Sequence, residues 1–214
     1  MQTVTERQRR PSPAGRPQPL AFYGKTLWMG SWDTDRLYAI DPQTWKVTDE
    51  VAAPGKPYGL ATVGAEMRAV VSIGEDDDRY LYRFVPGKGF DADSKMACPD
   101  FTGSHLASDG TTLYLGQMGL RRIVTLDESG AVASEVALPT RCGGIGFGPG
   151  GFYIISADEE FENLKLAKLD LTGSDKDLEL VAAIPFDGAR ALAYDGTAWW
   201  TSDREVSEIV SFTM

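Results

Sequence analysis

One pattern recurs five times along the 214 residues and restricts the fold more than any other feature. A Leu-Ala-like pair leads into a turn that carries glycine, and an aromatic or aliphatic strand follows. Leu20-Ala21 precedes Leu27-Trp28-Met29-Gly30, and Leu60-Ala61 precedes Ala69-Val70-Val71-Ser72. Leu106-Ala107 precedes Leu113-Tyr114-Leu115-Gly116, and Ile145-Gly146 precedes Phe152-Tyr153-Ile154-Ile155. Leu192-Ala193 precedes Trp199-Trp200-Thr201-Ser202. The anchors at 20, 60, 106, 145 and 192 lie 39 to 47 residues apart. A period near 40 residues is one supersecondary unit that buries its apolar faces against its neighbours.

Each unit holds a third strand that often closes on Asp, as in Leu37-Tyr38-Ala39-Ile40-Asp41 or Ile123-Val124-Thr125-Leu126-Asp127. The Asp side chain can cap the turn that follows. A fourth strand comes next, such as Lys46 to Val51 or Ala131 to Ala137. Alternation in the third strand puts Leu37, Ala39 and Asp41 on one face, and Tyr38 and Ile40 on the other. No segment keeps a helical period. The expected fold is all-β: a five-bladed β-propeller of four-stranded antiparallel blades, formed by residues 17–214 as a single domain. The fifth unit starts at Leu192, and Met214 leaves room for three strands only. A bare sheet edge at the seam is a liability. Residues 1–16 are therefore expected to supply the closing strand, with Gln2-Thr3-Val4-Thr5-Glu6-Arg7 beside Glu208–Thr213. The competing expectation is a basic tail, with Arg9-Arg10-Pro11-Ser12-Pro13 as a linker. A third is that the chain is part of a larger propeller.

Twenty-three glycines and twelve prolines, without a Gly-X-Y period, fit many tight turns between short strands. The net charge of -10 is the wrong sign for a broad nucleic-acid footprint, so no nucleic-acid partner is expected. No apolar run reaches the roughly 18 residues of a membrane span, so no membrane partner is expected. The polar N-terminus shows no signal-peptide pattern. A cytoplasmic location is the expectation, with a secreted form that has lost its signal as the alternative. Cys98 and Cys142 make no disulfide framework, although one bridge is conceivable. One histidine and two cysteines all but exclude a zinc site of the usual kind.

Unusual side chains concentrate in two of the four loop classes, those joining the second strand to the third and each unit to the next. Both classes open on one face of the ring, so the channel mouth there is the candidate pocket. Aligning the repeats puts Gln18, Tyr58, Ser104, Gly143 and Arg190 at one equivalent ring position, with His105 one residue further in. The candidate catalytic residues are His105, Arg190 and Glu75. His105 is the only imidazole available for neutral-pH proton transfer. Arg190 can grip a carboxylate or phosphate bidentately. Candidate binding residues are Gln18, Trp32, Tyr58, Ser104 and Arg141. Asp33, Asp158 and Asp203, with Glu75 from a further blade, are candidates to converge on Ca²⁺ or Mg²⁺, though no cofactor is firmly implied. No G-x-S-x-G, H-E-x-x-H or phosphate loop occurs.

Pro57-Tyr58-Gly59-Leu60-Ala61 and Leu37-Tyr38-Ala39-Ile40-Asp41-Pro42 resemble repeats of the β-propeller superfamily. The resemblance is to its streptogramin-lyase-like, YVTN-type and NHL-type members. Gln18-Pro19-Leu20 is similar to the first repeat of five-bladed glutamine cyclotransferases, but the next strand, Leu27–Ser31, lacks the catalytic Glu of that family. The streptogramin-lyase resemblance implies a His base with Mg²⁺, a base only His105 can supply. Gluconolactonase-like propellers imply a calcium site. The leading functional expectation is a binding module for a small polar molecule or a protein loop. The alternative is a lyase, a cyclase or a metal-assisted lactonase using His105 and channel-mouth carboxylates.

Overall fold

The computed structural model describes residues 1–172 and 178–214. Two N-terminal strands, β1 (Gln2–Thr3) and β2 (Thr5–Pro11), precede the ring. The first blade is β3 (Pro17–Tyr23), β4 (Thr26–Ser31), β5 (Arg36–Asp41) and β6 (Lys46–Ala52). The second is β7 (Lys56–Val63), β8 (Glu66–Ile73), β9 (Asp78–Val85) and β10 (Gly89–Ala97). The third is β11 (His105–Ser108), β12 (Leu113–Gln117), β13 (Arg122–Leu126) and β14 (Val132–Ala137). The fourth is β15 (Arg141–Gly148), β16 (Gly151–Ala157), β17 (Lys165–Leu169) and β18 (Glu179–Ala183). The fifth is β19 (Ala189–Tyr194), β20 (Trp199–Asp203) and β21 (Glu208–Thr213), completed by β2. The fold is the expected five-bladed propeller, and all five anchors fall on inner strands. No helix among the described residues is long and apolar enough to cross a membrane.

Alternation within each strand explains the absence of one central core. Leu37 and Ala39 of β5 pack with Leu60, Met67 and Phe84 of the second blade. Tyr38 and Ile40, on its other face, pack with Ala193, Trp200 and Ile209 of the fifth. The same division gives one apolar cluster per gap between blades, five in all among the described residues. Each blade is therefore a half-core that its neighbours complete.

The seam closes from the N-terminus, as expected, by a strand that starts three residues later and ends four residues later than the sequence pattern places it. β2, not Gln2–Arg7, pairs antiparallel with β21, from Thr5 opposite Thr213 to Pro11 opposite Glu208. Arg9, Arg10 and Pro11 thus belong to the strand and not to a linker. Pro11 is tolerated because β2 is an edge strand. The displaced residues have their own task. β1 runs parallel to β18, with Gln2 opposite Ala182, and the Val4 amide donates to Ala183 O at 3.0 Å. Val4 is buried with Ala182, Phe186 and Phe212. One segment therefore ties the fourth blade to the fifth. Arg9 holds the seam by pairing with Glu6 (3.0 Å), Glu208 (2.8 Å) and Asp203 (3.2 Å).

Five blades make a narrow ring, and β15 shows how narrow. A Cβ on Gly144 would lie 2.6 Å from the Ala191 carbonyl carbon, and one on Gly146 would lie 2.5 Å from Leu192 O. These glycines let β15 approach β19 backbone to backbone. The channel waist, between Leu60, Leu106, Ile145 and Leu192, keeps a void of about 10 Å³. That is at or below the space for one water.

Candidate functional site

Above this waist, the channel widens into a cavity of about 240 Å³ on the expected face. Seven of the predicted residues line it: Gln18, Trp32, Tyr58, Ser104, His105, Arg141 and Arg190. Six of them sit on an inner strand or the residue before it, and Trp32 follows β4. The repeat alignment is the signal that finds Gln18, Tyr58, Ser104, His105 and Arg190, and the loop classes supply Trp32 and Arg141. Gly143, aligned with them, instead lies where a Cβ would touch the Phe161 ring.

His105 is buried at the start of β11, 3% exposed. Its Nε2 lies 3.1 Å from Cys142 O. A carbonyl only accepts, so Nε2 carries the proton and Nδ1 the lone pair. Burial, then the nearby positive charge of Arg190, push its pKa down to about 3. The imidazole is therefore neutral at physiological pH. The unfolded chain takes up a proton near pH 6.5, and the native state does so only near 3. Stability contributed by the neutral form is thus full above pH 6.5 and falls on acidification, by up to about 1.4 kcal/mol per pH unit. His105→Gln removes the only imidazole and should flatten the pH dependence between 6.5 and 5. Urea midpoints at pH 7 and pH 5 check this. Equal losses in both proteins would show that His105 is not held neutral.

Arg190 is buried against the Phe161 ring, its guanidinium carbon 3.9 Å from the ring centre. Its Nη1 donates to Ala189 O at 2.9 Å. Burial and the charge of Arg204 bring its pKa down to about 10. Arg204 stands over Trp32, 4.7 Å from the ring centre, and its Nη1 donates to Gln18 Oε1 at 3.2 Å. Trp32 leans on Tyr58 at 4.5 Å, and Arg79 caps the far face of Tyr58 at 3.6 Å. Arg204, Trp32, Tyr58 and Arg79 thus form one row, two tilted rings between two guanidinium groups, which fixes the orientation of the wall. Trp32 Nε1 donates to Pro57 O (2.8 Å), and Tyr58 OH donates to Asp77 (3.2 Å). Arg141 donates to Glu159 at 3.1 Å, and Arg121 pairs with the same carboxylate.

The predicted carboxylates do not join this group. Glu75 is exposed on its loop, outside the cavity lining. Asp77 of the same loop, also exposed and outside the lining, sits in the left-handed region at φ 58° and accepts from Tyr58 and Ser72. Burial opposes ionisation of Asp77, but Ser72 and Arg79 hold its pKa below the usual carboxylate range. Asp33 pairs with Arg16. Asp158 caps its own loop, accepting from Glu162 N (2.7 Å) and Asn163 Nδ2 (2.9 Å). Asp203 is drawn to Arg9 at the seam. Asp33, Asp158 and Asp203 each serve a local partner, and no group of three metal-ligating side chains occurs among the described residues. The donor set does not fit a resident cation. Both cysteines are free, and burial pushes each thiol up to about 12.

Arg204, Met118, Glu159 and Glu160, from loops of the expected face but not among the predicted site residues, complete the lining with Phe161, which no sequence signal marked. Arg204 follows Asp203 in the chain, and Phe161 lies three residues after Asp158.

No family model and no curated protein sequence matches the chain. Solved structures match at low identity. Glutaminyl cyclase of Myxococcus xanthus is 10% identical, with a TM-score of 0.74, over 99% of this chain and 96% of that one. Regucalcin of Agrobacterium tumefaciens, a calcium-binding protein, is 10% identical with a TM-score of 0.62, over 100% and 96%. Virginiamycin B lyase of Staphylococcus aureus is 14% identical with a TM-score of 0.53, over 97% and 98%. The fold, a β-propeller, is shared with these structures, and enzymes are among them. At these identities the likeness extends to the fold alone.

Proposed function

We propose that this propeller is a binding module that takes a small polar ligand into the channel-mouth cavity without transforming it. One observation carries the reading: polar side chains from all five blades converge on a cavity whose floor is an apolar plug. The cavity, at about 240 Å³, lies below the usual range for drug-sized ligands, so the ligand is a small metabolite. Support for binding over catalysis comes from the state of the candidate groups. His105 is neutral with a pKa near 3, too weak a base for proton transfer at neutral pH. Glu159 is engaged by two arginines, and β4 offers no glutamate.

Thermal melting with a panel of small polar metabolites tests the proposal. A binder raises the melting temperature and is recovered unchanged by mass spectrometry. Ser104→Phe, which fills the cavity, should abolish the rise. Turnover of a panel member by the wild type, lost in His105→Gln, would replace the binding reading with an enzymatic one.

A further inference from the structure

We infer that the cavity takes an oxyanion, the carboxylate or phosphate group of a small metabolite, between the guanidinium groups of Arg190 and Arg204. The inference rests on the cavity being a ligand site.

The first ground is unbalanced charge. Arg190 and Arg204 both line the cavity, and the positive charge of Arg204 opposes that of Arg190. Neither makes an ion pair among the described residues, in a chain of net charge -10. The carboxylates nearby are spoken for or peripheral. Glu159 is held by Arg121 and Arg141, and Asp203 by Arg9. Glu160 and Glu205 are exposed, and the charge of Glu205 acts on both arginines without an ion pair to either.

The second ground is which guanidinium atoms are used. Each arginine lays a face on a ring, Phe161 for Arg190 and Trp32 for Arg204. Each commits Nη1, to Ala189 O or to Gln18 Oε1. In both, the Nε–Nη2 edge has no hydrogen-bond partner among the described residues, although Arg190 is only 8% exposed. That edge is the side-on fork that meets two oxygens of one carboxylate or phosphate. None of these nitrogens is among the polar atoms sealed away without a partner. The unused N–H groups are therefore open to the space the two residues line. Gln18 is oriented by the same network. Arg204 can only donate, so the Gln18 carbonyl oxygen faces it and the amide nitrogen is left free to donate.

Isothermal titration at low ionic strength, with inorganic phosphate and with succinate as probes, tests the inference. Glycerol and glucose serve as neutral probes, and Arg190→Gln, Arg204→Gln and Ser104→Phe as variants. Saturable binding of at least one oxyanion is expected, weakened about tenfold or more by either Arg→Gln change and lost in Ser104→Phe. Comparing phosphate with succinate identifies the source of the oxyanion. Should Arg190→Gln not fold, the better-exposed Arg204→Gln carries the same comparison. Oxyanion binding that survives the Arg→Gln changes overturns the inference. So does binding of a neutral probe alone, blocked by Ser104→Phe, although the cavity would then remain a ligand site. Should no probe bind and the melting panel give no hit, both readings fall.

Discussion

Removing residues 1–11 should lower the melting temperature by roughly 10–20 °C and make the protein self-associate. The ladder between β2 and β21 would go, at about 0.5–1.5 kcal/mol per hydrogen bond. Burial of Val4 would go too, at about 1.5–3 kcal/mol. So would the three carboxylate contacts of Arg9. A combined loss of about 5 kcal/mol or more corresponds to that shift in a chain of this size. The exposed edge of β21 would then offer unpaired backbone groups to another copy. Circular dichroism melting and size-exclusion chromatography check both parts. A truncated chain that melts like the full one, as a monomer, would mean that the seam is held by the blade clusters alone.

The second large effect concerns the width of the ring. Gly146→Ala adds one methyl group 2.5 Å from Leu192 O, a backbone atom of β19. Backbone cannot rotate away as a side chain can, so β15 and β19 must separate. The expected cost is about 3 kcal/mol, the upper end for overpacking, and roughly 6–12 °C in melting temperature. Gly119→Ala is the control, because its added Cβ meets nothing within 4 Å. Its effect should stay within about 0.5 kcal/mol. Similar losses for both would place the cost in the glycine backbone and not in the ring.

The fold was legible because it is written five times. Any one of the anchors, such as Leu60-Ala61, is weak alone, but its recurrence near 40 residues specifies a blade. Blade number followed from counting, and the missing strand followed from the shortfall after Thr213. Its register did not. Hydrophobic alternation is faint in Thr5–Pro11, where Arg7, Arg9 and Arg10 read as a tail. The strand is held by ladder bonds and by Arg9, and local composition records neither. The cavity was legible to the same extent as the repeat. Residues at the aligned ring position, such as Gln18, Tyr58 and Arg190, do meet. The loops between second and third strands were not legible, because their lengths differ and their turns bend individually. There Asp77, and not Glu75, bonds the Tyr58 hydroxyl, and Phe161 and Arg204 line the cavity from the loops that carry Asp158 and Asp203.

The pairing of Thr5 with Thr213 has a mechanical consequence. β2 and β21 are antiparallel, so Val4 and Met214 leave this ladder at the same end, and Val4 continues into the pairing of β1 with β18. Tension applied through the chain ends therefore loads β1 and the buried Val4 first. Once these let go, the bonds between β2 and β21 open one after another, as a zipper does, so β1 is the latch of the seam.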